Sequence, residues 1–274
     1  MRSLEVNIRR KIYSNDLCTI QDLVFSAKEG EFIAIVGPSG AGKTTLLNIV
    51  AGLDQDVDGE ILINGNPLNN AVQTRESVGF LFQESRLMPW LTALENVQLV
   101  LDGKSADVEH AKALLKQLGL EEFEHAFPGQ MSGGMQRRVA LARAFALQPS
   151  LLLMDEPFQS LDSPTADRLR TLLLDFWGKA NPIILFVTHN LREALALADR
   201  VVFLSARPAC VVEEISIEIP RPRQLDDTDV SMLYERLLYE NPQLLSGIQG
   251  RPSCDEAEAK KLSNEVSWFE RRIG

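Results

Sequence analysis

Cysteine is scarce: Cys18, Cys210 and Cys254 are the only three among 274 residues, and no two share a C-x-x-C spacing. That pattern builds neither a disulfide framework nor a thiolate metal site, so reduced thiols are expected. Long hydrophobic runs are missing as well. No stretch reaches the roughly 18 to 20 uninterrupted apolar residues of a membrane span, and Met1-Arg2-Ser3-Leu4-Glu5 lacks the apolar run of a secretory signal. Work at a membrane would therefore go through a partner. Positive charge is short too. A formal net charge of −10 leaves no broad basic face to displace counterions from phosphates, and no nucleic-acid partner is expected. What is present is enough for a sizeable core: hydrophobic residues make up 45% of the chain, which suits one large domain with or without an appendage.

The apolar runs are short and lack alternation. Phe32–Val36, Val78–Phe82, Leu151–Met154, Ile183–Val187 and Val201–Leu204 predict buried strands of a parallel sheet covered by helices on both faces. Thr44–Val50 and Pro164–Trp177 read as helices. Glu60–Asn64 reads as a strand, followed by a turn at Gly65-Asn66-Pro67. Between about residues 91 and 147 strand signals vanish; Val108, Ala111, Leu114, Leu115 and Leu118 share one helical face, and Gly119 and Pro128-Gly129 punctuate the stretch. This is a helical subdomain inserted in an α/β chain. Val211–Ile219 alternates like an antiparallel edge strand. After Pro220-Arg221-Pro222-Arg223 the composition turns polar and acidic, with amphipathic stretches at Ser231–Glu240 and Glu256–Arg271. The expected layout is one domain over residues 1–220 and a C-terminal helical extension over 221–274.

Gly37-Pro38-Ser39-Gly40-Ala41-Gly42-Lys43-Thr44 fits the full phosphate-loop pattern and lies between a strand and a helix, as the pattern demands. Glycines let successive backbone N–H groups turn toward phosphate oxygens, Lys43 adds a point charge, and the Thr44 hydroxyl can reach Mg²⁺. The loop and the adjoining Thr45 are the candidate nucleotide contacts. Asp155 and Glu156 follow the apolar strand Leu151–Met154, at the end that lies beside the phosphate loop in open parallel sheets. Asp155 is placed to hold the metal, and Glu156 to orient or deprotonate the attacking water. Acidic residues also follow strands simply because loops are wet; the pairing with the phosphate loop favours function.

Met131-Ser132-Gly133-Gly134-Met135-Gln136-Arg137-Arg138, opening a helix, resembles the signature motif of the ATP-binding-cassette (ABC) superfamily. A helix N-terminus with exposed amides, a serine hydroxyl and a positive dipole end is an anion site. The resemblance implies that Ser132, Gly133, Gly134 and Gln136 grip the nucleotide held by a facing cassette, a second copy or a paralogue. It further implies a P-loop, RecA-like core with ATP and Mg²⁺ as cofactors. Gln83 would touch the metal and the water. Ser160-Leu161-Asp162 would reach across the dimer, with Asp162 near the nucleotide, and His189 would contact the γ-phosphate. Tyr13 sits where the family places an aromatic on adenine, although a tyrosine there also suits edge packing. Thr44, Gln83 and Asp155 form the metal set; Lys43, Glu156 and His189 form the catalytic set. His110 and His125 read as structural. The resemblance spans about Arg10 to Arg207 and departs at Met131, Met135 and Gln159.

The insertion is too short for the coiled arms of chromosome-maintenance ATPases, and one phosphate loop means one cassette per chain. Gln83-Glu84-Ser85-Arg86-Leu87-Met88-Pro89-Trp90, with Thr92 and Glu95-Asn96-Val97, is similar to importers of nitrate, taurine, alkanesulfonates and pyrimidine precursors. Arg207-Pro208 and Pro220-Arg221-Pro222-Arg223 are similar too. That likeness implies an integral-membrane permease docking near Gln83–Val97, an extracytoplasmic solute-binding protein as indirect partner, and a peripheral place on the cytoplasmic face of the membrane. Trp90 either lines that docking groove or packs beneath the insertion. The competing reading is a soluble cassette ATPase without a permease, acting as a regulator or repair factor. A phosphate-loop kinase or GTPase is disfavoured by the signature motif and by the lack of an Asn-Lys-x-Asp guanine reader.

Overall fold

The computed structural model describes residues 2–240 apart from 14–16, 69–77, 103 and 160. Its strands are β1 (Ser3–Ile12), β2 (Cys18–Lys28), β3 (Phe32–Val36), β4 (Asp58–Ile63), β5 (Asn66–Pro67), β6 (Val78–Leu81), β7 (Leu151–Asp155), β8 (Ile183–Thr188), β9 (Arg200–Leu204) and β10 (Val211–Ser216). The helices are α1 (Lys43–Val50), α2 (Ala93–Gln98), α3 (Ser105–Gln117), α4 (Gly133–Ala146), α5 (Ser163–Ala180), α6 (Leu191–Leu197) and α7 (Thr228–Glu240). The fold is α/β with a mostly parallel sheet, as expected. Among the described residues no helix is long and apolar enough to cross a membrane.

The chain divides into two compact units. The first takes in residues 3–27, 33–69 and 188–274. Its antiparallel sheet runs β2–β1–β4–β5, and β1 shows why: Leu4, Val6 and Ile8 are buried while Glu5, Asn7 and Arg9 between them are exposed, the period of a half-covered strand. Leu4 pairs with Ile63 and Val6 with Ile61. Strands β1 and β2 were not among the sequence expectations, which followed unbroken apolar runs and passed over this alternation. The turn expected at Gly65-Asn66-Pro67 is centred one residue earlier. Asn64 and Gly65, with φ of 52° and 74°, are the central pair of a tight hairpin, so Asn66 and Pro67 are already the returning strand. In the same unit β3 lies parallel to β9, Ile33 opposite Arg200 and Val36 opposite Phe203. Strand β10 is antiparallel to β9 and ends at Ser216, short of the expected Ile219.

The second unit takes in residues 1–2, 28–32 and 70–187. Strands β6, β7 and β8 run parallel, with Val78 opposite Leu151 and Leu151 opposite Ile183. Every residue of β7 and β8 is buried, so each large apolar side chain there contributes on the order of 1.5–3 kcal/mol. Phe32 packs edge-on against Trp177 and Phe186, with centroids 5.9 and 6.0 Å away. The expected helical insertion is present as α2, α3 and α4. Ala111, Leu114, Leu115 and Leu118 are buried on the predicted face of α3, and Val108 is half-buried.

Helix α7 covers the first amphipathic stretch of the C-terminal extension and starts three residues early, at Thr228. The second stretch, Glu256–Arg271, lies outside the described residues, as do Ser160 and Cys254.

Candidate nucleotide site

The phosphate loop leaves β3 at Val36 and enters α1 at Lys43. Three contacts shape it, and each involves a residue that the sequence did not single out for the purpose. A Cβ on Gly37 would stand 3.2 Å from both the Cβ and the carbonyl of Leu204. The Arg207 guanidinium donates to the Gly40 carbonyl at 2.9 Å. Gly42 adopts φ of 97°, a left-handed value that favours glycine, and a Cβ there would stand 2.9 Å from the Thr19 methyl. Loop carbonyls have partners: Pro38 accepts from the Ala41 amide at 3.1 Å, and Lys43, 7% exposed, donates to Gly37 and Pro38 at 2.8 and 2.9 Å. No side chain caps α1, and a helix N-terminus after a glycine-rich loop is the kind of end that phosphate uses. Thr44 is exposed and Thr45 half-buried. The Tyr13 hydroxyl and the Thr45 hydroxyl are 3.2 Å apart, and the Lys11 ammonium lies 4.9 Å from the Tyr13 ring centroid. Tyr13 therefore adjoins the helix that follows the loop.

His189 belongs to the same unit and is exposed. Its neighbours are fixed. The Thr188 hydroxyl donates to the buried Glu193 carboxylate at 3.0 Å and accepts the Asn190 amide at 3.0 Å. Asn190 in turn caps α6, accepting from the amides of Arg192 and Glu193.

The second unit holds the remaining candidates. Asp155 ends β7 opposite Val187 and is 5% exposed. Glu156 follows with φ of 46°, and its amide donates to the Val187 carbonyl at 2.9 Å. A left-handed glutamate is uncommon and is held by that bond, which turns the chain sharply at the strand end. Gln83 is exposed, and its amide nitrogen donates to Gln159, leaving its own amide oxygen as the acceptor. Within this unit Gln83 and Asp155 offer an amide oxygen and a carboxylate; Thr44, in the first unit, offers a hydroxyl. Such hard oxygen donors fit Mg²⁺, which takes one or two carboxylates and completes its shell with phosphate and water.

Ser132 caps α4, accepting the Met135 amide at 3.3 Å. The two glycines after it differ in purpose. A Cβ on Gly133 would meet nothing within 4 Å, whereas one on Gly134 would stand 2.9 Å from the Thr165 methyl. Gly133 leaves an open approach, and Gly134 allows close packing on α5. Thr165 also donates its amide to Asp162, the cap of α5, at 3.2 Å. Hydrogen bonds from Thr165 hold the Asp162 carboxyl below its ordinary value. Gln136 donates to the carbonyls of Pro128 and Met131 at 2.9 and 3.3 Å, so its amide nitrogen braces the turn before the helix.

Arg137 was missed by the sequence reading as a separate contributor. It is 5% exposed and donates to the carbonyls of Phe82, at 2.6 Å, and Gln83. Burial lowers its guanidinium below the ordinary value, and the Asp155 carboxylate opposes that shift. Arg143 donates to Arg86 and Ser85 at 2.9 and 3.0 Å. Asn96, fully buried, accepts the Met88 amide and donates to the carbonyls of Met88, Leu91 and Thr92. Trp90, on the loop so held, is 70% exposed, which removes the expectation that it packs beneath the insertion. His125 is exposed and pairs with Glu124.

Comparison with known proteins decides the family. Residues 20–159 match the family described as ABC transporter. The chain belongs to it. An uncharacterized ABC transporter ATP-binding protein of Methanocaldococcus jannaschii is 42% identical over 240 residues, 85% of this chain and 88% of the relative. The aliphatic sulfonates import ATP-binding proteins SsuB of Bacillus cereus and SsuB 2 of Burkholderia cenocepacia are 37% and 40% identical, covering 87% and 86% of this chain and 95% and 86% of their own. A solved ATP-binding cassette, captured as a dimer in a post-hydrolysis state bound to ADP and Pi, superposes with a TM-score of 0.70 at 33% identity, over 80% of this chain and 100% of its own. The ABC protein described above is accordingly an ATP-binding ATPase of α/β, P-loop fold.

Proposed function

We propose that the chain is the ATP-hydrolysing subunit of an importer. It pairs with a second cassette, identical or paralogous, and couples nucleotide binding and hydrolysis to solute entry through a membrane permease. An extracytoplasmic binding protein delivers a solute of the nitrate, sulfonate, taurine or pyrimidine-precursor type. Its place is the cytoplasmic face of the membrane, held there by the permease. The carrying observation is Trp90: a large aromatic, 70% exposed, on a loop fixed from below by Asn96 and Arg143. Rigid exposed aromatics are what a docking partner buries. The likeness to sulfonate-import subunits supports the same reading.

In this reading the backbone amides of residues 39–45 bind the phosphates, Gly37 and Pro38 lead the chain into that turn, Lys43 neutralises the phosphate charge, and Tyr13 stacks on adenine. Thr44, Asp155 and Gln83 hold Mg²⁺, which supplies charge neutralisation at the phosphoryl oxygens when bound. Glu156 orients and accepts a proton from the attacking water, and His189 contacts the γ-phosphate. Ser132, Gly133, Gly134, Gln136 and Asp162 serve the nucleotide of the facing cassette. Positioning and charge compensation, not covalent chemistry, then carry the rate.

Two variants test the proposal. Glu156→Gln is expected to keep ATP binding, slow phosphate release by about 10²–10⁴-fold and accumulate an ATP-dependent dimer by light scattering; wild-type turnover would remove Glu156 from its role. Trp90→Ser is expected to keep ATPase activity and lose an integral-membrane partner when the tagged protein is recovered from detergent-solubilised membranes. Recovery of no membrane protein by the wild type would favour the soluble regulator instead.

A further inference from the structure

The segment after β10 returns to a single short helix. The Arg221 guanidinium bonds the Asp199 carboxylate and donates at 2.5 Å to the carbonyl of Leu197. Arg223, 6% exposed, donates at 2.7 Å to the carbonyl of Leu195. Burial, then the nearby Arg221 charge, lowers Arg223 to about 10, with Asp199 opposing, so it stays cationic at neutral pH. Both arginines thus satisfy carbonyls at the C-terminal end of α6, where a positive charge is favoured. From α7, Ser231 accepts a hydrogen bond from Arg192 at 3.1 Å, and the Tyr234 ring lies under the Arg192 guanidinium at 4.2 Å. Helix α6 is therefore gripped at its last turn by Arg221 and Arg223 and at its first turn by α7.

Seven residues make a helix of about 10 Å at 1.5 Å per residue, so fixing one end fixes the other. At the first turn, Asn190 caps α6 and Glu193 receives the Thr188 hydroxyl. His189 stands between Thr188 and Asn190, the two residues so held. We propose that Arg221, Arg223 and the Arg192–Tyr234 contact are positioning residues for His189: the chain beyond β10 is a strap that holds α6, and through it the turn 188–190, in the register that catalysis needs. This rests on the role given to His189 above and assigns a function to the first part of the C-terminal extension. None of these strap residues needs to touch nucleotide.

The test is a double-mutant cycle in the full chain. Arg192→Met, Tyr234→Ala, Arg223→Ala and Arg223→Lys are each made with His189 and with His189→Ala, and kcat, KM for ATP and thermal midpoint are measured. With His189 present, the first three are expected to lower kcat about tenfold and leave KM within about twofold, and lysine at 223 to recover part of the loss. In the His189→Ala background the same changes are expected to cost nothing further. Equal losses in both backgrounds, or losses arising through KM, would overturn the strap while leaving the histidine's role intact. His189→Ala turning over at the wild-type rate would instead strike the underlying reading, and the two failures are distinct. If Arg223→Ala does not fold, the half-buried pair Arg192→Met and Tyr234→Ala decides the outcome.

Discussion

Two loops of this ATPase are held rigid by opposite means. The phosphate loop is shaped chiefly by what its residues lack: Gly37 and Gly42 have no Cβ where Leu204 and Thr19 press in, a local backbone bond completes the turn, and one distant side chain, Arg207, donates to a loop carbonyl. The loop over residues 82–91 is shaped by what distant side chains supply. Arg137 and Arg143 reach back 54 to 58 residues to its carbonyls, and Asn96 makes three bonds to its far end and a fourth to the adjoining Thr92. One loop should therefore fail when a methyl is added, the other when a side chain is removed. Failure should also differ in kind: lost ligand binding in the first, lost fold stability in the second.

The largest effect on ligand binding within this comparison is expected from Gly42→Ala. Its left-handed backbone costs alanine about 1–3 kcal/mol, and the new methyl meets Thr19. The loop must open to accommodate it, so ATP affinity by calorimetry should fall at least about tenfold; unchanged affinity would break the comparison. Asn96→Ala should cost about 2–4 kcal/mol in urea unfolding, since four backbone partners lose their bonds in a buried place. Its ATP affinity should stay within about twofold, and a binding defect without a stability defect would reverse the contrast.

Lys11 sharpens the comparison because it brings a supplied side chain into the glycine-built unit. It is 2% exposed and 2.7 Å from Asp54. Burial pushes its ammonium down, but the hydrogen bond and charge of Asp54, with Asp56 and Tyr13, win, and it titrates above its ordinary value of 10.5. Its contribution is then full below that value and fades as pH rises through the higher folded one. Lys11→Met should lower stability by about 1–3 kcal/mol at pH 8, with the deficit shrinking as pH rises past the ordinary lysine value. A gap that widens in alkali would contradict the assignment. The smallest effect belongs to Gly133→Ala. Its Cβ meets nothing, so thermal stability should hold or rise by up to about 1 kcal/mol, and a fall would mean that Gly133 is packed after all.

The phosphate loop, the Asp155-Glu156 pair and the Ser132 helix were legible because each is a contiguous stretch whose physics is local. The central strands were legible for the same reason, as apolar runs. Strands β1 and β2 were not, since Leu4, Val6 and Ile8 alternate with charged and polar residues and the reading favoured uninterrupted runs. Arg137, Asn96, Arg207 and Arg223 were hidden for a deeper cause. Their partners are backbone carbonyls of Phe82, Leu91, Gly40 and Leu195, and a carbonyl leaves no mark on the sequence that accepts it. Trp90 could be singled out from the sequence, but only the fold distinguishes an exposed ring from a packed one.

Thr165 offers one last consequence. Its methyl abuts the backbone of Gly134 while its amide is pinned to Asp162. The exposed starts of two helices thus meet at one threonine, and the same helices meet again where Phe145 stacks on Phe176. A push delivered to the start of one helix is transmitted to the start of the other as if both were cut from the same block.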